Sequence, residues 1–175
     1  MPITINGTGT ITGISAGGLP SATVTQATLA TPVAGTGPAF SAYLGTTQSI
    51  TTATFTKISI NTEEFDTNSN FDSTTNYRFT PTVAGYYQVN GQMAGAATSG
   101  TVYNISIYKN GSVFKYGNDM RATSAINNLV VSALIYLNGS TDYIELYGYI
   151  TGTSPTIVGG SANNSYFQAF LARSA

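Results

Sequence analysis

Four carboxylates crowd into one short stretch of this 175-residue chain: Glu63, Glu64, Asp66 and Asp72, set among Asn and Ser. Oxygen ligands of that kind suit a hard cation, so calcium is the metal the stretch would take. Their spacing is not that of an EF-hand loop, and a solvated polar loop is the simpler account. Two carboxylates can also hydrolyse a glycoside, but only when they oppose each other across the sugar ring, which closeness in sequence does not supply. A second acid pair, Asp142 and Glu145, is turned apart by the alternation of a strand. Sugar recognition has its own candidates: Tyr77 and Tyr116 to stack, with Asn118 and Asp119 to hydrogen-bond. Turn or interface packing is the competing account of each.

Other chemistries are excluded by what the chain lacks. There is no Cys and no His, which removes thiolate metal sites, disulfides and the commonest neutral-pH base. Six Lys and Arg against seven Asp and Glu give a net charge of -1 and no basic cluster, so nucleic-acid binding is disfavoured. Gly-rich stretches such as GTGTITG and IVGGSANNS lack the lysine of a phosphate loop. No cofactor is expected beyond that calcium. Neither a secretory leader nor an apolar run long enough to span a membrane is visible, so no membrane insertion is expected.

The elements that would position these groups are strands. Residues 1–37 carry no aromatic and no charged side chain and repeat Thr, Gly, Ala and Ser around isolated aliphatics. This reads as an extended arm, either a flexible leader or an attachment and assembly segment. From Pro38 to Ala175 the character changes: Tyr and Phe recur between turn signals, and no helical apolar period appears. Val83, Gly85, Tyr87, Val89, Gly91 and Met93 share one strand face, with Tyr86, Gln88, Asn90 and Gln92 on the other. Tyr103, Ile105 and Ile107 alternate with Asn104, Ser106 and Tyr108, and Asn110-Gly111 supplies a tight hairpin turn. A second hairpin is predicted around Asn138-Gly139. It pairs the face Leu129, Val131, Ala133, Ile135 and Leu137 with a return strand carrying Ile144, Leu146, Gly148 and Ile150. Both faces of that pair are apolar or aromatic, which suits a central strand or a subunit contact. SYFQAFLAR reads as a closing strand, and NTEEFDTNSNFDSTTNYRF as a polar excursion. So many short strands fit a two-sheet sandwich, whose connections periodicity leaves open.

One ordered set of segments narrows the choice. PAFSAYL, Asn70-Phe71-Asp72, Phe79-Thr80-Pro81, Val83-Ala84-Gly85-Tyr86-Tyr87, LNGSTDYIEL and the terminal YFQAFLA follow one another through residues 38 to 173. Together they resemble the globular head of the complement-component-one-q and tumour-necrosis-factor superfamily. The resemblance implies a TNF-like jelly-roll sandwich that assembles as a homotrimer. It also implies that Phe71, Phe79, Tyr87, Tyr147, Phe167 and Phe170 pack in the core or the trimer seam. Gly85 reads as a backbone angle barred to other residues at the entrance of a strand. Gln88 follows Tyr87 where the family often continues with a further aromatic and a His, which weakens transfer of an animal receptor function. The arm has no collagen period and is similar to the Gly/Thr/Ala-rich arms of bacteriophage structural and fibre proteins. The combined expectation is a non-enzymatic virion protein, a trimeric capsid decoration or head fibre held through residues 1–37 to a capsid or tail protein. A tail-fibre or receptor-binding tip recognising a host surface glycan is the alternative, and a polysaccharide-processing enzyme is a remote one.

Overall fold

A computed structural model describes residues 37–99, 102–122 and 126–175. The proposed arm, apart from Gly37, lies outside the described residues. The described residues form strands and turns, and the strands fall into two antiparallel sheets. In the first sheet β1 (Ala39–Tyr43) lies between β4 (Thr62–Asp66) and β13 (Tyr166–Ser174). Next to β13 comes β7 (Ala84–Thr98), whose opposite edge pairs with β10 (Asn127–Asn138). The far half of β7 pairs with β12 (Thr153–Ile157), which carries β2 (Gln48–Ser49) on its other side. The second sheet runs β5 (Phe71–Asp72), β6 (Arg78–Phe79), β11 (Ile144–Ile150), β8 (Tyr103–Lys109), β9 (Ser112–Met120), and β3 (Thr56–Lys57) also pairs with β11.

The period-2 pattern explains which face of each strand turns inward. Tyr87, Val89 and Met93 of β7, Leu129 to Leu137 at alternate positions of β10, and Phe167, Ala169 and Leu171 of β13 are buried from the first sheet. They meet Ile105 and Ile107 of β8 and Ile144, Leu146 and Ile150 of β11 from the second. Four rings tie the sheets together at one end. Phe40 stacks on Phe71 at 4.5 Å and on Phe79 at 4.7 Å, and meets Phe167 edge-on at 5.3 Å. Tyr87 packs edge-on against Phe79, and its hydroxyl donates to the Val83 carbonyl at 2.7 Å. Burial pushes that phenol up to about 12.

One expected turn is present as read from the sequence, and several other expectations need correcting. Asn110-Gly111 is the tight turn of the β8–β9 hairpin, with φ of 52° and 77°. The pair around Asn138-Gly139 is not a hairpin, because β10 belongs to the first sheet and β11 to the second. The segment between them carries the chain over the edge of the sandwich. Asn138 Oδ1 accepts from the backbone nitrogens of Ser140, Thr141 and Asp142, and Gly139 has φ of 72°. The polar excursion contains β4 and β5, so part of it is sheet edge. Asn104 and Ser106, on the face opposite Tyr103, Ile105 and Ile107, are buried as well, at 8% and 0% exposure. Gly85 does not have a left-handed φ. A Cβ there would stand 2.5 Å from the Arg173 carbonyl oxygen and 2.6 Å from Leu171 Cδ1, so glycine is needed for the close approach of β13.

Candidate functional site

The four clustered carboxylates have separate partners. Glu63 accepts from Ser73 Oγ and Glu64 from Ser41 Oγ, both at 2.6 Å. Asp66 accepts from the Phe71 backbone nitrogen at 2.7 Å and so starts β5. Asp72 accepts from the backbone nitrogens of Thr75, Thr74 and Asn76 and from Asn76 Nδ2, closing the turn that leads to β6. Among the described residues no group of three or more acidic, His or Cys side chains is placed to hold a metal ion. Of the other three acids two are ion-paired, Asp142 with Lys109 at 2.8 Å and Glu145 with Lys57 at 2.7 Å, and the third is Asp119.

These bonds have a consequence for acid stability. The Thr75 backbone N–H, then that of Thr74, with help from Asn76, hold the Asp72 carboxyl well below its usual 3.8 against an opposing effect of burial. A carboxyl depressed on folding stabilises fully above its unfolded value and loses that contribution as pH falls. Asp72→Asn is therefore expected to flatten the fall in Tm between about pH 5 and pH 3. Parallel Tm profiles for parent and variant in that window would show that Asp72 contributes no acid sensitivity.

Two surfaces remain. The first is the outward face of the first sheet, whose side chains the register aligns in rows. Tyr136 of β10 lies beside Tyr86 of β7; Leu134 lies beside Gln88, which faces Phe170 of β13. Ser132, Asn90, Gln168, Ser41 and Phe65 make the next row, across all five strands from β10 to β4. Phe65, Tyr86, Val130, Leu134, Tyr136 and Phe170 are all between 42% and 58% exposed, an apolar concentration that isolated surface residues do not produce. A polar centre is prearranged among them: Gln88 Nε2 donates to Ser132 Oγ at 2.8 Å, and Ser132 Oγ to Asn90 Oδ1 at 2.9 Å.

The second surface is a groove of about 390 Å³ on the outer face of the second sheet, lined by Phe55, Val102, Asn104, Tyr116, Gly117, Asp119 and Tyr149. Phe55 reaches over from the segment before β3, its ring 4.9 Å from that of Tyr149 and 6.0 Å from that of Tyr116. Beside it Tyr108 stacks on Tyr147 at 3.8 Å.

The sequence candidates distribute as follows. Phe71, Phe79, Tyr87 and Phe167 are in the core, whereas Phe170 is 49% exposed on the apolar face. Tyr147 lies in neither place: strand alternation puts it on the outer face of the second sheet, stacked on Tyr108. Tyr116 and Asp119 line the groove, but Asn118 points away, its Oδ1 accepting from the Val130 nitrogen at 3.1 Å and clipping β9 to β10. Tyr77 sits at φ of 50° in the turn before β6 and does not line the groove. Sequence reasoning missed Phe55, Asn104 and Tyr149 in the groove and Phe65 on the apolar face. The aromatic alternation of β11 carried a signal for Tyr149, whereas nothing local marks where the Phe55 segment folds back.

No protein-family model matches the sequence, and no curated protein matches it either. Solved structures do. The globular domain of zebrafish complement 1qA aligns with a TM-score of 0.57 at 17% identity, covering 79% of this chain and 99% of that one. The chain has the C1q/TNF jelly-roll fold. Eiger TNF from S. frugiperda matches with a TM-score of 0.59 at 10% identity over 79% of this chain and 95% of its own. Murine APRIL matches with 0.53 at 11% identity over 75% and 96%. At these identities the likeness is one of fold. Within the C1q/TNF jelly roll, the apolar face belongs to the sheet containing β13, and the groove to the sheet containing β9.

Proposed function

We propose that this chain is a non-enzymatic assembly protein that works as a homotrimer, a structural component of a bacteriophage virion decorating the capsid or forming a head fibre. The observation that carries the self-assembly reading is the outward face of the first sheet, where six large apolar side chains flank a hydrogen-bonded Gln88–Ser132–Asn90 centre. Left in water, such a face is a sticky surface; covered by another copy, it contributes the burial that association needs. A closed threefold ring requires two different patches, one meeting the other on the next subunit. The β9 edge supplies the second patch, with Val113 and Phe114 41% and 38% exposed beside β10. Low charge supports the same reading, since few ionised groups have to be desolvated in the contacts.

The virion assignment rests on residues 1–37, whose uncharged Gly/Thr/Ala/Ser composition suits an arm attaching to a capsid or tail protein. Its test is imaging of the intact source particle with the subunit located by a bound antibody fragment. Label on the capsid supports decoration, label at the tail end supports the receptor-binding tip, and absence from particles rejects the virion role. The tip is the one second reading favoured by a specific observation, the aromatic groove on the second sheet.

A further inference from the structure

We propose that the groove on the outer face of the second sheet is a binding site for a neutral carbohydrate, with Tyr116 as its stacking platform and Asp119 and Asn104 as its hydrogen-bonding groups. It lies within one protomer and stands whether or not the assembly reading does.

Strand register builds the site. Asp119, Asn104 and Tyr149 are direct neighbours across β9, β8 and β11, and Tyr116, Ser106 and Tyr147 form the adjoining row. Residues 116 and 119 are three apart and in a regular strand would point to opposite faces. Between Asn104 and Ser106 the β8–β9 pairing shifts, so that Gly117 and Asn118 together oppose a single residue. That bulge brings Tyr116 and Asp119 to the same face, as bulges beside binding sites do. Gly117 permits it, because a Cβ there would stand 2.4 Å from the Val130 carbonyl oxygen and 2.7 Å from Ile105 Cγ2.

The chemistry selects the ligand. Asn104 is 8% exposed, and its Oδ1 accepts from Ser106 Oγ at 2.9 Å. Its Nδ2 donates to none of the described residues, although its side chain lines the groove. An amide nitrogen on the groove wall takes its acceptor from a ligand or from water. Asp119 is an acceptor only, and it is the one ionised residue in the lining. A sugar ring answers both, since each hydroxyl donates and accepts, while its C–H face rests on an aromatic ring. Tyr116 is 61% exposed and steadied by Phe55. An anionic ligand is disfavoured because no cation lines the groove, and Lys57 of the same sheet is committed to Glu145. The volume of about 390 Å³ is within the roughly 300–1,000 Å³ of small-ligand sites.

The experiment is saturation-transfer NMR on the full chain with the methyl glycosides of glucose, galactose, mannose and N-acetylglucosamine, and with the methyl glycoside of sialic acid as the anionic comparison. Transfer to the ring protons of at least one neutral glycoside is expected. Tyr116→Ala and Asp119→Asn should each weaken it by about fivefold or more, as the loss of a stacking or charged hydrogen-bonding partner does. Both positions are exposed, and circular dichroism checks that each variant is folded. Thr46→Ala, in the exposed turn between β1 and β2, should leave the signal unchanged. The proposal is overturned by no transfer from any neutral glycoside, by preference for the sialoside, or by binding that survives both groove substitutions.

Discussion

Leu134→Asp should convert the protein from a trimer of about 55 kDa, three times the 18.2 kDa chain, into a folded monomer at micromolar concentration. Leu134 is 58% exposed on β10, at one side of the outward face, opposite Gln88 and with one strand between it and Phe170. In a lone subunit a carboxylate there sits in water and changes stability by no more than about 0.5 kcal/mol, the usual scale for surface substitutions. In a closed ring it must be desolvated without a partner, at about 3 kcal/mol or more, which is at least a hundredfold in each contact. Light scattering after size exclusion reads the mass, and circular dichroism reads the fold. A parent protein that is already monomeric, or a variant that stays trimeric, would overturn the self-assembly reading.

Phe40→Ala should cost about 3–5 kcal/mol of folding free energy, the range for removing a fully buried ring. Phe40 is 1% exposed and touches rings from both sheets, Phe167 on one side and Phe71 and Phe79 on the other. The stacked pairs are worth about 0.5–1.5 kcal/mol each beyond their area, so the loss should fall toward the upper end. Against a typical total of about 5–15 kcal/mol, a loss at that upper end removes between about a third and all of the stability and lowers the urea midpoint in proportion. The comparison is Phe170→Ala, the same change at a ring that is 49% exposed. Measured in a Leu134→Asp background, which removes the linkage between assembly and unfolding, Phe170→Ala should move the midpoint little. Equal losses at the two positions would mean that the outward face contributes to the monomer core.

The inward faces were legible in the sequence because a period of two survives in β7, β10 and β13 whatever their neighbours are. Asn110-Gly111 was legible because a two-residue turn is set by its own backbone angles. Asn138-Gly139 shows where local reading stops. Its turn chemistry resembles a hairpin's, but whether the chain returns beside β10 or crosses to the other sheet depends on where β7 and β8 already lie. The groove failed in the same way: Tyr116 and Asp119 stood in the sequence, but the bulge that puts them on one face is a property of pairing with β8. Asn104 and Phe55 come from segments about fifty residues apart and meet only through the common neighbour β11. The carboxylates were ambiguous in the sequence for another reason. Asp66 and Asp72 each organise a turn by accepting backbone N–H groups, a use that a composition suited to calcium does not distinguish from metal binding.

The place of β13 between β1 and β7 has a consequence for synthesis. Residues 39–43 leave the ribosome more than a hundred residues before 166–174, yet they have no connection to β7 until those later residues slot in between. Until residues 166–174 emerge the first sheet is in two pieces, each exposing an unsatisfied strand edge and the inner faces of Phe40 and Tyr87. Such edges invite pairing with other nascent chains. The first sheet should therefore close only once residues 166–174 have emerged, and the yield in a cell should depend on chaperones that shield those two open edges until the central strand arrives.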